Sequence, residues 1–197
     1  MITLYHAPQS RSSRIVWLLE ELGAPYEIKI TTIPRQDGSG GPDAANPHPD
    51  KKVPAIVDNG VLVSESIAIT IYLCDAHPQA GIAPKIGDPL RAPYLEWLAY
   101  YVGVMEPVMI AGFAGFSDNP AVTRTWRTAR EVHARVSAAL EKSPWILGDK
   151  FTAVDVIIGS VGQWMRPALP PGDVVDDYLK RLAERPAAQR AAAKDNG

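Results

Sequence analysis

An Asn59-Gly60 pair between two short β-rich segments, AIVD and VLV, most constrains how this chain can fold. Both central residues of a type I′ turn need a positive φ, which Asn and Gly tolerate better than other residues. The sequence from residue 55 to residue 63 therefore predicts a β-hairpin.

The segments around this hairpin extend it into a mixed α/β unit. The run ITLY at residues 2–5 predicts a strand, RIVWLLEELG has apolar residues at helical spacing and stops at Gly23, and residues 26–30 predict a second strand. A strand, a helix and a strand in close succession favour a parallel strand pair. After the hairpin, the segment IAITIYLCDA predicts a helix capped by Ser64. The order is strand, helix, strand, long loop, hairpin, helix.

The second half of the chain predicts helices only. Residues 78–88 are interrupted by prolines and glycines, which is typical of a linker between domains. We therefore predict an α/β domain over residues 1–77 and an all-helical domain over residues 89–197. A chain of 197 residues is long enough for two small domains with a stable core.

Four helical segments are predicted in the second domain. Aromatic residues and methionines recur at spacings of three and four within residues 90–116, which indicates a helix with a buried face that Pro107 kinks or breaks. Thr152 and Asp155 have the spacing of a capping box with a carboxylate, so we expect a structural role for this acid. The other helical segments cover residues 120–142 and 174–194.

Composition limits the classes of function. Hydrophobic residues make up 46% and charged residues 21%, as in ordinary soluble globular proteins, and the net charge of −2 disfavours binding to nucleic acid or to anionic membranes. The single cysteine, Cys74, cannot form an intrachain disulfide, a CxxC pair or a cysteine-built zinc site, and it fits a reducing, cytoplasmic setting. The start of the chain lacks the pattern of a secretory leader, and the sequence has no run of 18 apolar residues, so we expect neither secretion nor a membrane span.

The pair Val53-Pro54 comes directly before the first strand of the hairpin. A proline cannot donate a hydrogen bond to a strand ladder and is tolerated at the start or edge of a strand, so this bond is a candidate for a cis peptide.

Three blocks of sequence resemble the cytosolic glutathione transferase family over nearly the whole chain. The family's first strand, active-site loop and first helix resemble the block LYHAPQSRSSRIVWLLEELGAPYE. Its glutathione-binding half resembles HPDKKVPAIVDNGVLVSESIAITIYL, and the capping-box helix of its second domain resembles ILGDKFTAVDVIIGSV. The resemblance implies an α/β thioredoxin-like N-terminal domain plus an all-α C-terminal domain. It also implies a cis Pro54, glutathione as co-substrate, no metal and usually a homodimer.

The physical properties of the matched residues agree with that ligand. The γ-glutamyl end of glutathione is a zwitterion, and Glu65-Ser66 at a helix start offers a carboxylate for the ammonium and free N–H groups with a hydroxyl for the carboxylate. The resemblance implies that the backbone beside Val53 and Pro54 pairs with the cysteinyl part. The family's basic residue corresponds to Lys52, a candidate for the glycyl carboxylate.

The loop before this strand carries two further features. His48 is a second candidate for the glycyl carboxylate. The family motif commonly has a glycine where this chain has Lys51.

The resemblance places the activating hydroxyl at Ser10. This residue lies two positions after Pro8 and before the first helix, where the serine-type classes of the family have theirs. Two alternatives for the activating hydroxyl stay open. One is Ser12, shifted by two positions, and the other is Tyr5, which matches the tyrosine of other classes. The position used by cysteine-type classes is Arg11, so we do not expect a covalent mixed disulfide.

The resulting prediction is a glutathione S-transferase with a detoxification role. Ser10 would stabilise the thiolate of glutathione, which attacks a small hydrophobic electrophile resting on the helical domain. Phe113, Phe116 and Trp164 are candidates for that apolar site. Two alternatives stay open: a non-catalytic dimeric scaffold or binding protein, and a glutathione-dependent isomerase, dehalogenase or peroxidase.

Overall fold

The computed structural model describes residues 1–195. Residues Met1–Ala80 and the described residues from Arg185 onward form one compact unit, and Gly81–Glu184 form a second. The first unit is a small α/β sheet structure and the second is helical, which confirms the predicted fold class. The last helix falls within the predicted domain 89–197, whereas its contacts in the structure are with the first helix, in the first unit.

The sheet of the first unit contains four strands within the described residues. They are β1 Ile2–His6, β2 Tyr26–Ile30, β3 Ala55–Asp58 and β4 Val61–Ser64. Their order is β2-β1-β3-β4, and the β1–β2 pair is parallel, as the sequence predicts. Strand β3 runs antiparallel to β1 and to β4. Asn59 and Gly60 both have positive φ, 49° and 82°, so the predicted hairpin is confirmed.

The α-helices follow in chain order. They are α1 Ser13–Leu22, α2 Ser66–Ala76, α3 Arg91–Tyr100, α4 Glu106–Phe113, α5 Pro120–Thr125, α6 Ala129–Leu140, α7 Ala153–Trp164, α8 Asp173–Ala183 and α9 Pro186–Asp195. Helix α1 ends at Gly23 in a left-handed conformation, where a glycine costs no side-chain strain. It buries its apolar residues, including Ile15, Leu18 and Leu19.

Two of the long predicted helices are divided. The segment 120–142 forms α5 and α6 because Thr128 begins a new helix, with the Glu131 side chain accepting a hydrogen bond from the Thr128 amide. The segment 174–194 forms α8 and α9, and the second begins at Pro186. A proline lacks the N–H that would continue the preceding helix, so it is suited to the first turn of a new one.

The predicted helix over residues 90–116 is interrupted by a five-residue π turn. This turn, Tyr101–Met105, joins α3 to α4 and comes directly before Glu106 and Pro107. Turns of this kind are rare and occur mostly as single turns inserted into α-helices. Tyr94, Trp97, Tyr101 and Met105 are buried, so most of the predicted aromatic and methionine stripe belongs to the core.

The carboxylate of Asp155 is a folding element of the second unit. It accepts hydrogen bonds from the amides of Thr152 at 2.8 Å and Ile146 at 2.9 Å, and from the Tyr178 hydroxyl at 3.2 Å. The capping box predicted from Thr152 and Asp155 is confirmed.

None of the helices within residues 1–195 is long and apolar enough to span a membrane.

Candidate functional site

The register of the sheet brings three of the predicted site segments to the same end of neighbouring strands. Tyr5 of β1 pairs with Ala55 of β3, and Ala55 pairs in turn with Ser64 of β4. Just beyond this row the chain enters the loop after β1, the Val53-Pro54 pair before β3 and the N-terminus of α2. These segments lie far apart in sequence, and strand pairing makes them neighbours.

The Ser10 hydroxyl is half-buried and belongs to the loop between β1 and α1. It donates a hydrogen bond to the Ala7 carbonyl at 2.7 Å and accepts one from the Ser12 amide at 3.1 Å. The oxygens of the Ser10 and Ser12 hydroxyls lie 2.8 Å apart. The Ser10 proton is therefore held by a loop carbonyl, close to the N-terminal end of α1.

The Ser12 hydroxyl is fully buried and serves the loop itself. Its oxygen accepts a hydrogen bond from the Ala7 amide at 3.1 Å and lies 2.8 Å from Nδ1 of His6. Tyr5, the other alternative, is half-buried within β1, and the Lys29 ammonium lies 5.6 Å from the centroid of its ring.

His6, Arg35 and Asp195 also organise this loop, and they are not among the predicted site residues. The Arg35 guanidinium donates to the Pro8 carbonyl at 2.8 Å. His6 is fully buried, and its Nε2 lies 3.2 Å from Oδ1 of Asp195. Burial lowers the pKa of His6, although the neighbouring Asp195 carboxylate opposes this effect. Local sequence patterns do not reveal such contacts, because their partners are distant in the chain.

The peptide bond between Val53 and Pro54 is cis, as predicted. Both residues are buried, and they lie just outside the β1–β3 ladder, whose last pair is Tyr5 and Ala55. The backbone of Val53 is therefore outside the hydrogen-bonded rows of the sheet.

The loop before Val53 has a defined internal structure. Lys51 adopts a φ of 54°, the conformation that favours glycine, and its Nζ donates to the Asn46 carbonyl at 2.7 Å. Lys52 is exposed, and its carbonyl accepts a hydrogen bond from the Asn46 side chain at 2.9 Å. His48 is buried, with Nδ1 accepting from the Asp50 amide at 3.0 Å, so one of its ring nitrogens already serves the loop.

The N-terminus of α2 differs from the prediction in its cap. Ser64 is the last residue of β4, and the cap position is occupied by Glu65, with a φ of 70°. Strand pairing with β3 extends through Ser64, which moves the start of the helix to Ser66. Glu65 is exposed and forms no side-chain cap, so the first-turn N–H groups of α2 have no capping side chain at that position.

Within residues 1–195, no group of three or more His, Cys, Asp or Glu side chains is arranged to hold a metal ion. The described site thus consists of a hydroxyl, a buried cis-proline segment and a helix N-terminus beside a carboxylate. This set can bind a zwitterion and can donate a hydrogen bond to a developing anion.

Comparison with known proteins identifies one family. Residues 1–75 match the family model described as Glutathione S-transferase, N-terminal domain, and residues 119–184 match the model for the C-terminal domain. Glutathione S-transferase GstA of Escherichia coli O157:H7 is 26% identical over 98% of both chains. Glutathione S-transferase 3 of Schizosaccharomyces pombe is 49% identical over 73 residues, covering 37% of this chain and 29% of that one.

Solved structures show the same similarity over the full length of the chain. A crystal structure of a glutathione S-transferase from Actinobacillus pleuropneumoniae superposes with a TM-score of 0.83 at 28% identity, covering 100% of this chain and 94% of that one. The chain therefore belongs to the glutathione S-transferase family.

Proposed function

We propose that the protein is a serine-type glutathione transferase, in which the Ser10 hydroxyl stabilises the thiolate of bound glutathione for attack on a small hydrophobic electrophile. The observation that carries the proposal is the sheet register, which places the Ser10 loop, the cis Pro54 segment and the N-terminus of α2 at the same end of neighbouring strands. Each segment supplies one part of what a charged thiol tripeptide needs.

Thiol activation requires a defined amount of energy. A free thiol with a pKa of about 8.5 is roughly 3% thiolate at pH 7, and lowering the pKa to about 6.5 requires about 2.7 kcal/mol. A hydroxyl donor and a helix N-terminus together supply energy of that order. Rotation about the Cβ–Oγ bond of Ser10 would exchange a neutral hydrogen bond to Ala7 for a charge-assisted one to sulfur.

The remaining site residues would bind the tripeptide. Glu65 would pair with the γ-glutamyl ammonium, and the N–H groups and hydroxyl at Ser66 would receive the adjacent carboxylate. The backbone of Val53, beside Pro54, would pair with the cysteinyl part. The Lys52 ammonium, which is exposed, would meet the glycyl carboxylate.

The electrophile would rest on the helical unit. Phe113, Phe116 and Trp164 are 62%, 58% and 49% exposed, so apolar surface is available there for a hydrophobic substrate. We further propose that the protein acts as a homodimer, as the family resemblance implies. We place it in the cytoplasm in a detoxification role, since its one cysteine, Cys74, cannot form an intrachain disulfide and therefore suits a reducing compartment.

The experiment combines binding with product analysis. Calorimetry would measure the affinity for glutathione, and the same enzyme would be incubated with glutathione and a panel containing an aryl halide, an epoxide, an isothiocyanate, a haloalkane, a cis-alkene and a hydroperoxide. Conjugates identified by mass spectrometry support the transferase. Isomerised, dehalogenated or reduced products indicate the other glutathione-dependent reactions, binding without turnover indicates the scaffold, and absence of binding overturns the proposal.

A further inference from the structure

The carboxylate of Asp195, the last residue of α9, contacts the Ser10 loop at three points. The Gln9 amide donates to Oδ2 at 3.2 Å, the Ser13 hydroxyl donates to Oδ1 at 2.5 Å, and His6 Nε2 lies 3.2 Å from Oδ1. A residue at the far end of the chain thus reaches both ends of the loop between β1 and α1.

The position of this acid is unfavourable within its own helix. A carboxylate at the C-terminus of α9 meets the negative end of the helix dipole. Helix α1, in contrast, has no acidic residue in its first turn and no side-chain hydrogen bond at its cap, Ser12. Asp195 contacts α1 at its first residue, Ser13, where a negative charge is favourable. Its location is therefore explained by the contact with α1 and the loop.

A set of ion pairs holds α9 against α1, so the end of α9 has a defined position. Arg185 forms two hydrogen bonds of 2.6 Å to Glu21, and Arg190 and Lys194 bind Glu20 at 2.6 and 2.5 Å. The Glu20 and Glu21 side chains are only 9% and 5% exposed. Pairs with one buried partner are less screened by solvent than surface pairs.

Two hydrogen-bond chains connect the loop amides around Ser10 to Asp195 with unambiguous direction. The Gln9 amide donates to the carboxylate directly. The Ser10 amide donates to the Ser13 hydroxyl at 3.2 Å, and that hydroxyl donates to the carboxylate. An N–H can only donate and a carboxylate can only accept, so the hydroxyl between them has one possible orientation.

The His6 ring adds a contact with the same carboxylate that is not a hydrogen bond. Its Nε2 lies 3.2 Å from Oδ1 of Asp195 but has no hydrogen-bond partner within residues 1–195, and its Nδ1 lies 2.8 Å from the Ser12 hydroxyl. The Ser12 oxygen accepts a hydrogen bond from the Ala7 amide. The two hydrogen-bond chains from Gln9 and Ser10 therefore end on a carboxylate that also lies beside His6.

Gln9 shows that the loop needs such an anchor. It has a φ of 53°, which a residue with a side chain seldom adopts and which surrounding contacts must maintain. Its amide is held by Asp195 and its carbonyl accepts from Arg35 at 3.3 Å, so both sides of the residue are tied.

We propose that Asp195 is a positioning residue for thiol activation: by accepting the hydrogen-bond chains from Gln9 and Ser10, it fixes the Ser10 hydroxyl where it can donate to the sulfur of glutathione. This inference rests on the proposed role of Ser10. The contacts of the Asp195 carboxylate described above are with the last residue of β1, with the loop and with the first residue of α1. The groups assigned to the rest of the tripeptide belong to other segments: Lys52, Val53, Glu65 and Ser66.

The test compares Asp195→Asn with Arg190→Gln and the wild type. The Asp195 carboxylate accepts from Gln9 on one oxygen and from Ser13 on the other, and the amide in Asp195→Asn has a single acceptor oxygen, so one of the two bonds is lost. Arg190→Gln instead weakens the attachment of α9 and leaves the carboxylate in place. In Asp195→Asn we expect kcat to fall about 10-fold or more and the pKa of the bound thiol to rise, with the Kd for glutathione within about threefold of wild type. Arg190→Gln should change each quantity by less than about threefold.

Two results would overturn the proposal. The Asp195 carboxylate is an anion near the site, so a lowered thiol pKa in Asp195→Asn would mean that its charge, and not its positioning of the loop, dominates. An equal loss in Arg190→Gln would mean that attachment of α9 is the whole effect.

A measurement without glutathione separates this inference from the proposed function. Amide hydrogen exchange should accelerate about 10-fold or more at Gln9 and Ser10 in Asp195→Asn, and not in Arg190→Gln. Unchanged exchange at both amides rejects the anchor even if the enzyme is active. If the wild type fails to bind glutathione, the proposed function fails, while the exchange result still decides whether Asp195 holds the loop.

Discussion

The hydroxyl oxygens of Ser10 and Ser12 lie 2.8 Å apart, and while Ser10 is half-buried, Ser12 is completely buried. The two serines therefore have different tasks. Ser12 contacts the Ala7 amide and His6 inside the protein, whereas Ser10 is partly exposed to solvent.

Substitution of each serine by alanine should separate these tasks. Ser12→Ala leaves a buried amide and imidazole without their partner and should lower the free energy of unfolding by about 1–3 kcal/mol. Ser10→Ala should cost less than about 1 kcal/mol, yet lower turnover while the affinity for glutathione stays within a few-fold. Denaturant titration, calorimetry and initial rates measure the three quantities. Full turnover in Ser10→Ala would move the activating role to Ser12 or Tyr5.

Glu65→Gln should weaken glutathione binding about 10-fold without changing stability. The substitution removes the charge assigned to the γ-glutamyl ammonium, and a charge-assisted hydrogen bond contributes about 1.5–3 kcal/mol. Glu65 is exposed and makes no side-chain cap, so the fold does not depend on its carboxylate.

Glu27→Gln is the matched control for this change, because Glu27 is an exposed acid on β2, at the other end of the strand order. Calorimetry should give a wild-type Kd for this variant. An unaltered Kd in Glu65→Gln would contradict the γ-glutamyl assignment.

Lys51 offers a test of the loop that precedes Val53. Its φ of 54° is a glycine-like conformation, and its Nζ bonds the Asn46 carbonyl. Lys51→Gly and Lys51→Ala both remove that bond, but only the glycine relieves the backbone, so the glycine variant should be the more stable by about 1 kcal/mol. Chemical denaturation of the two variants measures the difference directly. Equal stability would show that the backbone at this position is not strained.

Asp155 should make stability depend on pH. Burial raises its pKa to about 6, although hydrogen bonds from Ile146, Thr152 and Tyr178 oppose the shift. The folded protein then binds a proton more tightly than the unfolded chain, whose Asp pKa is about 3.9. The free energy of unfolding should therefore fall as pH rises from about 4 through about 6.

The neutral variant Asp155→Asn should lack this particular dependence. The difference in unfolding free energy between wild type and Asp155→Asn, measured from about pH 4 to about pH 8, isolates the contribution of the carboxyl group. The unfolding free energy of wild type minus that of Asp155→Asn should fall as pH rises through this window, and a rise would contradict the raised pKa.

Much of the fold follows from short-range patterns. Asn59-Gly60 predicts its hairpin because the turn chemistry is local, and Thr152 with Asp155 predicts a capping box because both partners lie within one helical turn. The predicted cap of α2 is wrong by one residue. Ser64 suits a cap as well as a strand end, and only its pairing with Ala55 decides between the two.

The candidate site is predictable where the chain resembles a known family, and less so where distant residues meet. Ser10, Pro54 and Glu65 lie in the matched blocks. Gln9 and Asp195 are 186 positions apart, and their hydrogen bond depends on how α9 packs on α1. Contacts of that kind require the three-dimensional structure.

The central claim is that Ser10 stabilises the thiolate of bound glutathione. Ultraviolet difference spectra of glutathione titrated into wild type and Ser10→Ala across pH measure it most directly, because a thiolate absorbs where a thiol does not. In the wild type we predict a saturating thiolate band whose pH titration has its midpoint at about pH 6.5, roughly two units below the pKa of the free thiol. In Ser10→Ala the titration midpoint should be about one unit higher or more, with a similar affinity for glutathione. The same midpoint in both proteins would contradict the account.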